Sequence, residues 1–324
     1  MELMILRVRM LLVSVKHALL KFVGAMTAGV LVFMPTVAQA EWVEWITDVG
    51  LSVVNDSNLN RSAFSGDEAG ATVDDEKSDQ ITVFNASLGR IYQIGTFTRA
   101  SLTGDAEIRK HQDWDRLNST MFGIGAGIRH KFGIGLARPW VKGAFTSRTI
   151  DVVSDLRDGS ITTIDLSAGM RFTPWVDASI KYGQMRRDGQ GGDSSGANVF
   201  DQERSTLAIN ANLTPLRNLT VSLGYSRSEG DFTSSCIADN AALVLSSEGD
   251  NVEAITLDDA FDDGSQPAFC AYRLGATTNI TSLAISYGIT RNFSANLGYE
   301  DVASKADVVD YEARIIRANV TARF

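Results

Sequence analysis

The chain has 324 residues, with 30 Lys and Arg, 39 Asp and Glu, and a formal net charge of −9 at pH 7. This acidic balance argues against nucleic acid as a partner, because phosphate backbones are bound by concentrated Lys and Arg. After the first forty residues no stretch reaches about eighteen consecutive apolar residues, which excludes helical membrane spans.

Residues 1–40 are predicted to be a secretory signal peptide. An apolar run over residues 22–37 is followed by Ala38-Gln39-Ala40, which supplies the small residues of a cleavage site. The run is short for spanning a bilayer and contains Pro35, which argues against an anchor. Removing the leader takes away four basic residues and one acidic residue, leaving 26 against 38 and a formal charge of −12 for residues 41–324. The basic residues of the leader are Arg7, Arg9, Lys16 and Lys21.

The mature sequence consists of segments of about ten residues in which apolar and polar or small residues alternate. In Leu219–Tyr225 the odd positions are apolar, and in Ile164–Phe172 the even positions are apolar. Such alternation is typical of strands in a membrane β-barrel, whose successive side chains face lipid and lumen in turn. We therefore predict an all-β, transmembrane, antiparallel up-and-down barrel over residues 41–324. Its twelve predicted strands are 45–56, 80–92, 97–109, 118–131, 139–151, 160–172, 175–187, 203–214, 218–229, 279–290, 292–302 and 309–324.

The connections between these strands alternate between short and mostly longer ones. Outer-membrane barrels place short turns in the periplasm and long loops outside the cell, and their even strand number brings both termini to one side. The alternation therefore favours a barrel in the outer membrane of a Gram-negative bacterium. The short connections are 93–96, 132–139, 173–174, 215–218 and 291, and the others are 57–79, 110–117, 152–159, 188–202, 230–278 and 303–308.

Aromatic residues fall near the predicted strand ends, as expected for two girdles where lipid meets water. The girdle at the short turns is predicted to contain Trp45, Tyr92, Phe97, Phe132, Trp140, Phe172, Trp175, Phe293 and Phe324. The girdle towards the loops is predicted to contain Tyr182, Tyr225, Tyr287 and Tyr299.

The predicted extracellular loop at about 230–278 contains the only two cysteines, Cys236 and Cys270. An exported chain meets an oxidising compartment, so we predict a disulfide between them. The bridge favours an ordered cap or constriction over the barrel mouth, and a surface loop without a gating role is the alternative. Their spacing matches no zinc pattern, and we predict neither a metal site nor a cofactor.

Two short segments resemble known families. The last strand, Ile316–Phe324, has apolar even positions and a final Phe324, and it resembles the C-terminal signature of bacterial outer-membrane proteins. This resemblance implies recognition by the barrel assembly machinery. The segment Asp56-Ser57-Asn58-Leu59 is similar to openings of porin-like barrels, some of them linked to exopolysaccharide export, but Asp, Ser and Asn are also common turn residues.

The strand alternation also predicts which residues face the lumen. One group of strands contributes charge, and another contributes small or neutral residues. A twelve-stranded barrel is wider than the eight-stranded kind that side chains fill, so these charges are predicted to line an aqueous gap and to set its selectivity. The predicted pore-lining residues are Arg99, Asp105, Glu107, Arg129, Lys142, Asp165, Arg171, Asp177, Lys181, Arg317 and Arg323. The neutral group includes Asn85, Ser87, Gly89, Gly123, Gly125, Gly127, Asn210, Asn212, Ser222, Gly224, Ser282, Ala284, Ser286, Asn296 and Gly298.

The sequence thus predicts a porin-like channel for small polar or ionic solutes, with outer-membrane lipid and lipopolysaccharide as its surroundings. In the alternative interpretation the charges pair across a closed lumen, and the barrel serves as a structural protein, a receptor or part of an export complex. An outer-membrane lipid hydrolase is the enzymatic alternative. Its candidate residues, His111, Asp113 and Ser119, match no recognised motif.

Overall fold

The computed structural model describes residues 41–61, 76–190, 198–238, 252–261, 269–306 and 310–324, so the predicted signal peptide lies outside the described residues. The described chain is almost entirely β-structure. Its strands are β1 (Glu41–Asp56), β2 (Asp79–Ile94), β3 (Thr98–His111), β4 (Ser119–Lys131), β5 (Trp140–Val152), β6 (Gly159–Thr173), β7 (Val176–Gly189), β8 (Gln202–Leu216), β9 (Leu219–Ile237), β10 (Val252–Asp258), β11 (Phe269–Gly288), β12 (Phe293–Lys305) and β13 (Asp310–Arg323).

Twelve of these strands form one closed antiparallel barrel. Strands β1 to β9 follow one another around the sheet, β9 pairs with β11, and β11, β12 and β13 continue it. Closure comes from β1 against β13, whose partners run from Asp48 with Arg323 to Asp56 with Ile315. The predicted twelve-stranded barrel is confirmed, and β10 is an additional strand outside the ring.

The connections follow the predicted alternation. At one end, turns of two to eight residues join β2 to β3, β4 to β5, β6 to β7, β8 to β9 and β11 to β12. The connections at the other end are mostly longer, and two of them contain short 3-10 turns at Asp115–Leu117 and Asp155–Arg157. The two ends are called here the turn end and the loop end. Among the described residues, no helix combines the length and apolarity needed to cross a membrane.

The barrel is apolar on its outer surface and polar within. On β4, Phe122 and Ile124 are 61% and 63% exposed on the outside, while Gly123 and Gly125 point inwards beside them. Large exposed aliphatic or aromatic side chains also occur on the outer face of the other eleven strands of the ring. Such a belt is unfavourable in water and suits the hydrocarbon of a bilayer, where a closed barrel also satisfies every backbone hydrogen bond.

Strands β9 and β11 continue well past the predicted ends of their segments. The predicted loop at 230–278 therefore contains eight more residues of β9 and ten more of β11, which pair with each other as far as Ile237 and Phe269. Strand β12 leaves β11 at Thr277, and β10 then takes its place against the edge of β11 from Leu274 to Phe269. Polar and turn-forming residues suggested a loop here, but the ladder continues because β9 and β11 support each other beyond the apolar belt.

The predicted disulfide is confirmed. Cys236 and Cys270 are direct partners in the β9–β11 ladder, with Cα atoms 5.0 Å apart. Their backbones are therefore held together by both the ladder and a covalent bond. The bridge lies near the loop-end tip of the longest hairpin of the barrel.

Two predicted girdle positions were wrong. Trp140 lies on the inner face, since the guanidinium of Arg129 stacks on its ring and the missing side chain of Gly169 leaves room for it. Tyr287 lies at the turn end, where it pairs with Leu219 at the start of β9. Trp140 has the same parity as Lys142 on β5, so the alternation itself places its ring inside the barrel. Tyr287 follows the direction of β11, which runs from the loop end to the turn end.

Candidate functional site

The candidate site is the lumen, whose charged wall is built from strands β3 to β7. All eleven predicted pore-lining residues have the strand parity opposite to that of the exposed apolar belt, which places them on the inner face. Their role in lining a conducting pore stays a prediction. Contacts between neighbouring strands divide them into paired and unpaired charges.

Ion pairs join all four predicted acidic residues to basic neighbours. Asp165 Oδ1 lies 3.6 Å from Lys181 Nζ, and Asp177 Oδ2 lies 4.0 Å from Arg171 Nη2. At the barrel seam, Arg323 Nε donates to Asp48 Oδ1 at 2.7 Å. These pairs fasten adjacent strands, β6 to β7 and β13 to β1, on the wet side of the sheet.

Two basic partners were missing from the predicted set. Asp105 pairs with Arg148 at 2.9 Å, and Glu107 pairs with Arg109 at 2.5 Å. The sequence contained the signal for both, since Arg148 has the same parity as Lys142 on β5, and Arg109 has the same parity as Glu107 on β3. Their lumen position follows from the same alternation that identified their neighbours.

The remaining basic residues have a different environment. Arg99, Arg129 and Lys142 are partners across β3, β4 and β5, so the structure brings them into one row. Arg317 lies on the inner face of β13, opposite Val54 and Gly298. These four side chains form no ion pair with a carboxylate within the described parts of the chain.

The wall formed by β8, β9, β11 and β12 is mostly neutral and polar, although Arg204 on β8 and Glu300 on β12 have the same parity as the neutral residues beside them and add charge to it. Asn212 Nδ2 donates to Asp177 Oδ1 at 2.8 Å, and Asn212 Oδ1 accepts from Ser222 Oγ at 2.7 Å, which links the two walls. Further up the lumen, Gly224 leaves room for Ser282, whose Oγ would lie 2.4 Å from an added Cβ. Because most of its residues are small, most side chains of this wall project only a short distance into the lumen.

At the loop end several loops and strand ends pack together into a structure that we call the cap: residues 57–61, 76–78, 112–118, 153–158, 198–201, 252–261 and 269–274. Phe261 and Phe269 form its centre, and each is at most 2% exposed. Trp114 packs edge-on against Phe261 at 5.4 Å, and Arg157 lies over Phe200. Unlike the membrane part of the barrel, the cap has a buried apolar core of the kind found in water-soluble domains.

Ion pairs join β10 to two of the loops within the cap. Asp258, at the end of β10, is fully buried and pairs with Arg157 at 2.5 Å. The next residue, Asp259, pairs with Arg116 and accepts a hydrogen bond from Ser154 Oγ. One strand end therefore connects to two separate loops.

The first loop is fastened through the segment that resembles porin-like openings. Asp56 accepts a hydrogen bond from the Asn58 backbone at 3.0 Å and forms an ion pair with Arg61 at 2.7 Å. Asn58 Nδ2 donates to the carbonyl of Glu312 on β13 at 2.9 Å. These contacts give the segment a structural role at the barrel seam.

The candidate catalytic histidine is part of the same structural network. His111 Nδ1 lies 2.8 Å from Asp79 Oδ2, with the two side chains 6% and 0% exposed. Burial lowers the pKa of His111 below its usual value, although the hydrogen bond to Asp79 acts in the opposite direction. Within the described ranges, no group of His, Cys, Asp or Glu side chains is suited to holding a metal ion.

Comparison with known proteins gives no match to any family model or curated protein. Among solved structures, the chain is similar to an outer-membrane channel from Pseudomonas putida F1, at 9% identity and a TM-score of 0.56, over 90% of this chain and 100% of that one. It also matches the KdgM porin in complex with disordered oligogalacturonate (9% identity, TM-score 0.44, 86% and 99% coverage) and the NanC porin (8%, 0.42, 85% and 100%). The first likeness, the closed ring and the apolar belt together identify the fold as that of an outer-membrane β-barrel.

Proposed function

We propose that the chain is a porin-like channel that passes small polar or ionic solutes across the outer membrane. The observation that carries this proposal is the exposure of charged side chains inside the barrel. Arg148, Arg171 and Lys181 are 42%, 38% and 44% exposed although each is paired with an acid. In a closed, dry lumen these groups would be buried, which costs several kcal/mol for each ion.

The cap bears on where the channel is narrowest. Asp258 and Phe261 in the cap are almost fully buried, whereas the Lys181 side chain, nearer the turn end, is 44% exposed. We infer that solutes meet their main constriction at the loop end. The cap then limits which molecules enter the water-filled lumen below it.

Planar-bilayer recording of the purified protein tests the channel directly. We expect discrete conductance steps, and reproducible silence of correctly folded protein would contradict the proposal and favour a receptor, structural or export-complex role. Lys181→Glu should shift the reversal potential in a salt gradient towards cation selectivity, because it reverses a charge in the lumen. The matched control is Arg186→Glu, which reverses a charge on the outer face of the same strand.

A non-catalytic role is part of the proposal. The burial of His111 and its bond to Asp79 favour a structural use of this histidine over general-base catalysis on lipid. Deacylation of phospholipid by purified protein, lost in His111→Ala, would support the hydrolase alternative instead. Activity that survives this substitution would point to contamination or to another residue.

We also propose that the barrel assembly machinery recognises Phe324. Its ring is 68% exposed, while its backbone N–H donates to the carbonyl of Thr47 at 3.0 Å. Phe324→Ala should therefore lower the amount of barrel in the outer membrane without lowering the stability of barrel refolded in detergent. If the amount in the membrane and the stability in detergent fell together, Phe324 would act through stability alone.

A further inference from the structure

Three basic side chains form a row across the charged wall near the turn end. The row consists of Arg99 on β3, Arg129 on β4 and Lys142 on β5, and each is the direct ladder partner of the next. Neighbouring strands are about 4.8 Å apart, so three positive charges fall within about 10 Å on one surface. All three residues are exposed to solvent inside the barrel.

The row differs from the rest of the wall because no carboxylate neutralises it. Asp105, Asp165 and Asp177 each have a basic partner elsewhere on the wall. Within the described residues, no acidic side chain lies within 4.0 Å of the three cations, and Arg99 Nε instead donates to the amide oxygen of Gln93 at 2.9 Å. A chain with more acidic than basic residues has thus left a concentrated positive charge facing its lumen.

The central cation of the row is held in place by an aromatic ring. The Arg129 guanidinium lies 4.4 Å from the centre of the Trp140 ring. On the neighbouring strand Gly169 provides the space for this ring, since a Cβ there would come within 2.7 Å of Trp140 Cζ2. Trp140 is therefore a positioning residue, and the outward donors of Arg129 remain available to a ligand.

Like charges at this spacing repel one another, and a bound anion would relieve that repulsion. An anion with two or more oxyanion groups matches the row best, because each group can accept charge-assisted hydrogen bonds from a different strand. A monovalent anion can neutralise only part of the row. The geometry therefore selects for multivalent anions over monovalent ones.

We propose that Arg99, Arg129 and Lys142 form a binding site for multivalent organic or inorganic oxyanions that carry carboxylate or phosphate groups. The proposal rests on the proposed channel function, since the lumen is the route by which such a solute reaches the row. The site makes the channel selective for these anions at its turn end. Carboxylate and phosphate ligands share the chemistry that the row recognises.

Calorimetric titration of the detergent-purified protein tests the site with citrate, pyrophosphate and acetate. We expect citrate or pyrophosphate to bind and acetate to bind far more weakly. Tighter binding of citrate would indicate recognition of carboxylate groups, and tighter binding of pyrophosphate would indicate recognition of phosphate groups. Arg99→Gln, Arg129→Gln and Lys142→Gln should each weaken binding by about tenfold or more, as expected for the loss of one hydrogen bond between charged groups. Arg186→Gln, an equal charge change on the outer surface, should leave binding unchanged.

Bilayer recordings separate the failure of this site from the failure of the channel. Binding that depends on the row in a protein without conductance would leave the site standing and reject the channel. Two results would overturn the site and leave the channel standing. One is conductance without binding of either multivalent anion, and the other is conductance with binding in all three variants that equals binding by the wild-type protein. Because the three side chains are exposed, we expect the variants to fold, and a heat-modifiable band on electrophoresis confirms this for each one.

Discussion

Arg148 Nε lies 2.9 Å from Asp105 Oδ2 although a whole strand, β4, separates the strands that carry the two residues. The contact is possible because Gly123 stands between them in the ladder and has no side chain. A Cβ at Gly123 would come within 2.5 Å of Arg148 Cγ and 2.9 Å of Asp105 Oδ1. A glycine on the inner face thus allows an ion pair to span three strands.

Gly123→Ala should break or displace this ion pair. We expect destabilisation of about 1–3 kcal/mol, the usual cost of overpacking, and a lower single-channel conductance. Gly104→Ala is the matched control, because a Cβ on that outward-facing glycine meets only two backbone oxygens, at 3.8 and 4.0 Å. Urea unfolding of the barrel in lipid vesicles measures the change in stability. Equal stability of the two variants would contradict the role of Gly123.

Asp258→Asn should loosen the cap. The substitution removes one partner of a buried ion pair with Arg157, which costs about 3 kcal/mol because it leaves a buried charge uncompensated. Asp259→Asn is the control, since the Asp259 side chain is 46% exposed and its pair with Arg116 contributes below about 1 kcal/mol. Hydrogen exchange in β10 should accelerate only in Asp258→Asn, and conductance should rise with it.

Removal of the disulfide should weaken the cap while the membrane part of the barrel stays intact. The bridge joins residues 34 positions apart, and losing it restores about 3–4 kcal/mol of chain entropy to the unfolded state. Joint substitution of Cys236→Ser and Cys270→Ser should therefore speed exchange in β10 and the first half of β11. Exchange in β3 to β5 serves as the internal reference, and the reduced wild-type protein should behave like the variant.

The loop end should lose stability as the pH falls. His111 ends β3, three residues beyond Ile108, the last exposed apolar residue of that strand. Its pKa in the folded protein is lowered, mainly by burial, from an ordinary value of 6.5. The unfolded chain therefore takes up the proton first, so the stabilisation is present above pH 6.5 and is lost as the pH falls towards the folded pKa.

Thermal unfolding between pH 7.5 and 5 measures this effect. His111→Gln should flatten the pH dependence of the midpoint over this window, whereas His130→Gln, at the turn end of β4, should preserve it. A midpoint that is equally sensitive to pH in His111→Gln would show that other groups control the acid response. A midpoint that rises on acidification would contradict the sign of the shift.

The alternation of side chains identified the barrel because the two faces of each strand meet different solvents. Once Phe122 and Ile124 face lipid, Gly123 and Gly125 must face inwards, and the same rule placed Asp165 on the inner face. Short and long connections then gave the two ends. These features depend on local sequence alone, since strand parity and turn composition need no knowledge of distant contacts.

Contacts between distant segments were beyond the reach of that rule. The polar ends of β9 and β11 suggested a loop, yet pairing with each other keeps them extended, and β10 adds to their edge. The alternation puts Trp140 on the same face as Lys142, but the space that Gly169 leaves for its ring depends on how β5 pairs with β6.

The sequence by itself determined a closed barrel in lipid, the twelve strands of its ring, its two ends and its disulfide, because each follows from local periodicity or from the only available pairing. Only the tertiary structure decided which charges neutralise each other and which stand alone. The pairing of Asp105 with Arg148, the unpaired row at Arg129 and the burial of Asp258 under the cap all depend on strand register. Register is set by the ladder of the whole ring, and a one-residue slip in it would turn every side chain to the opposite face.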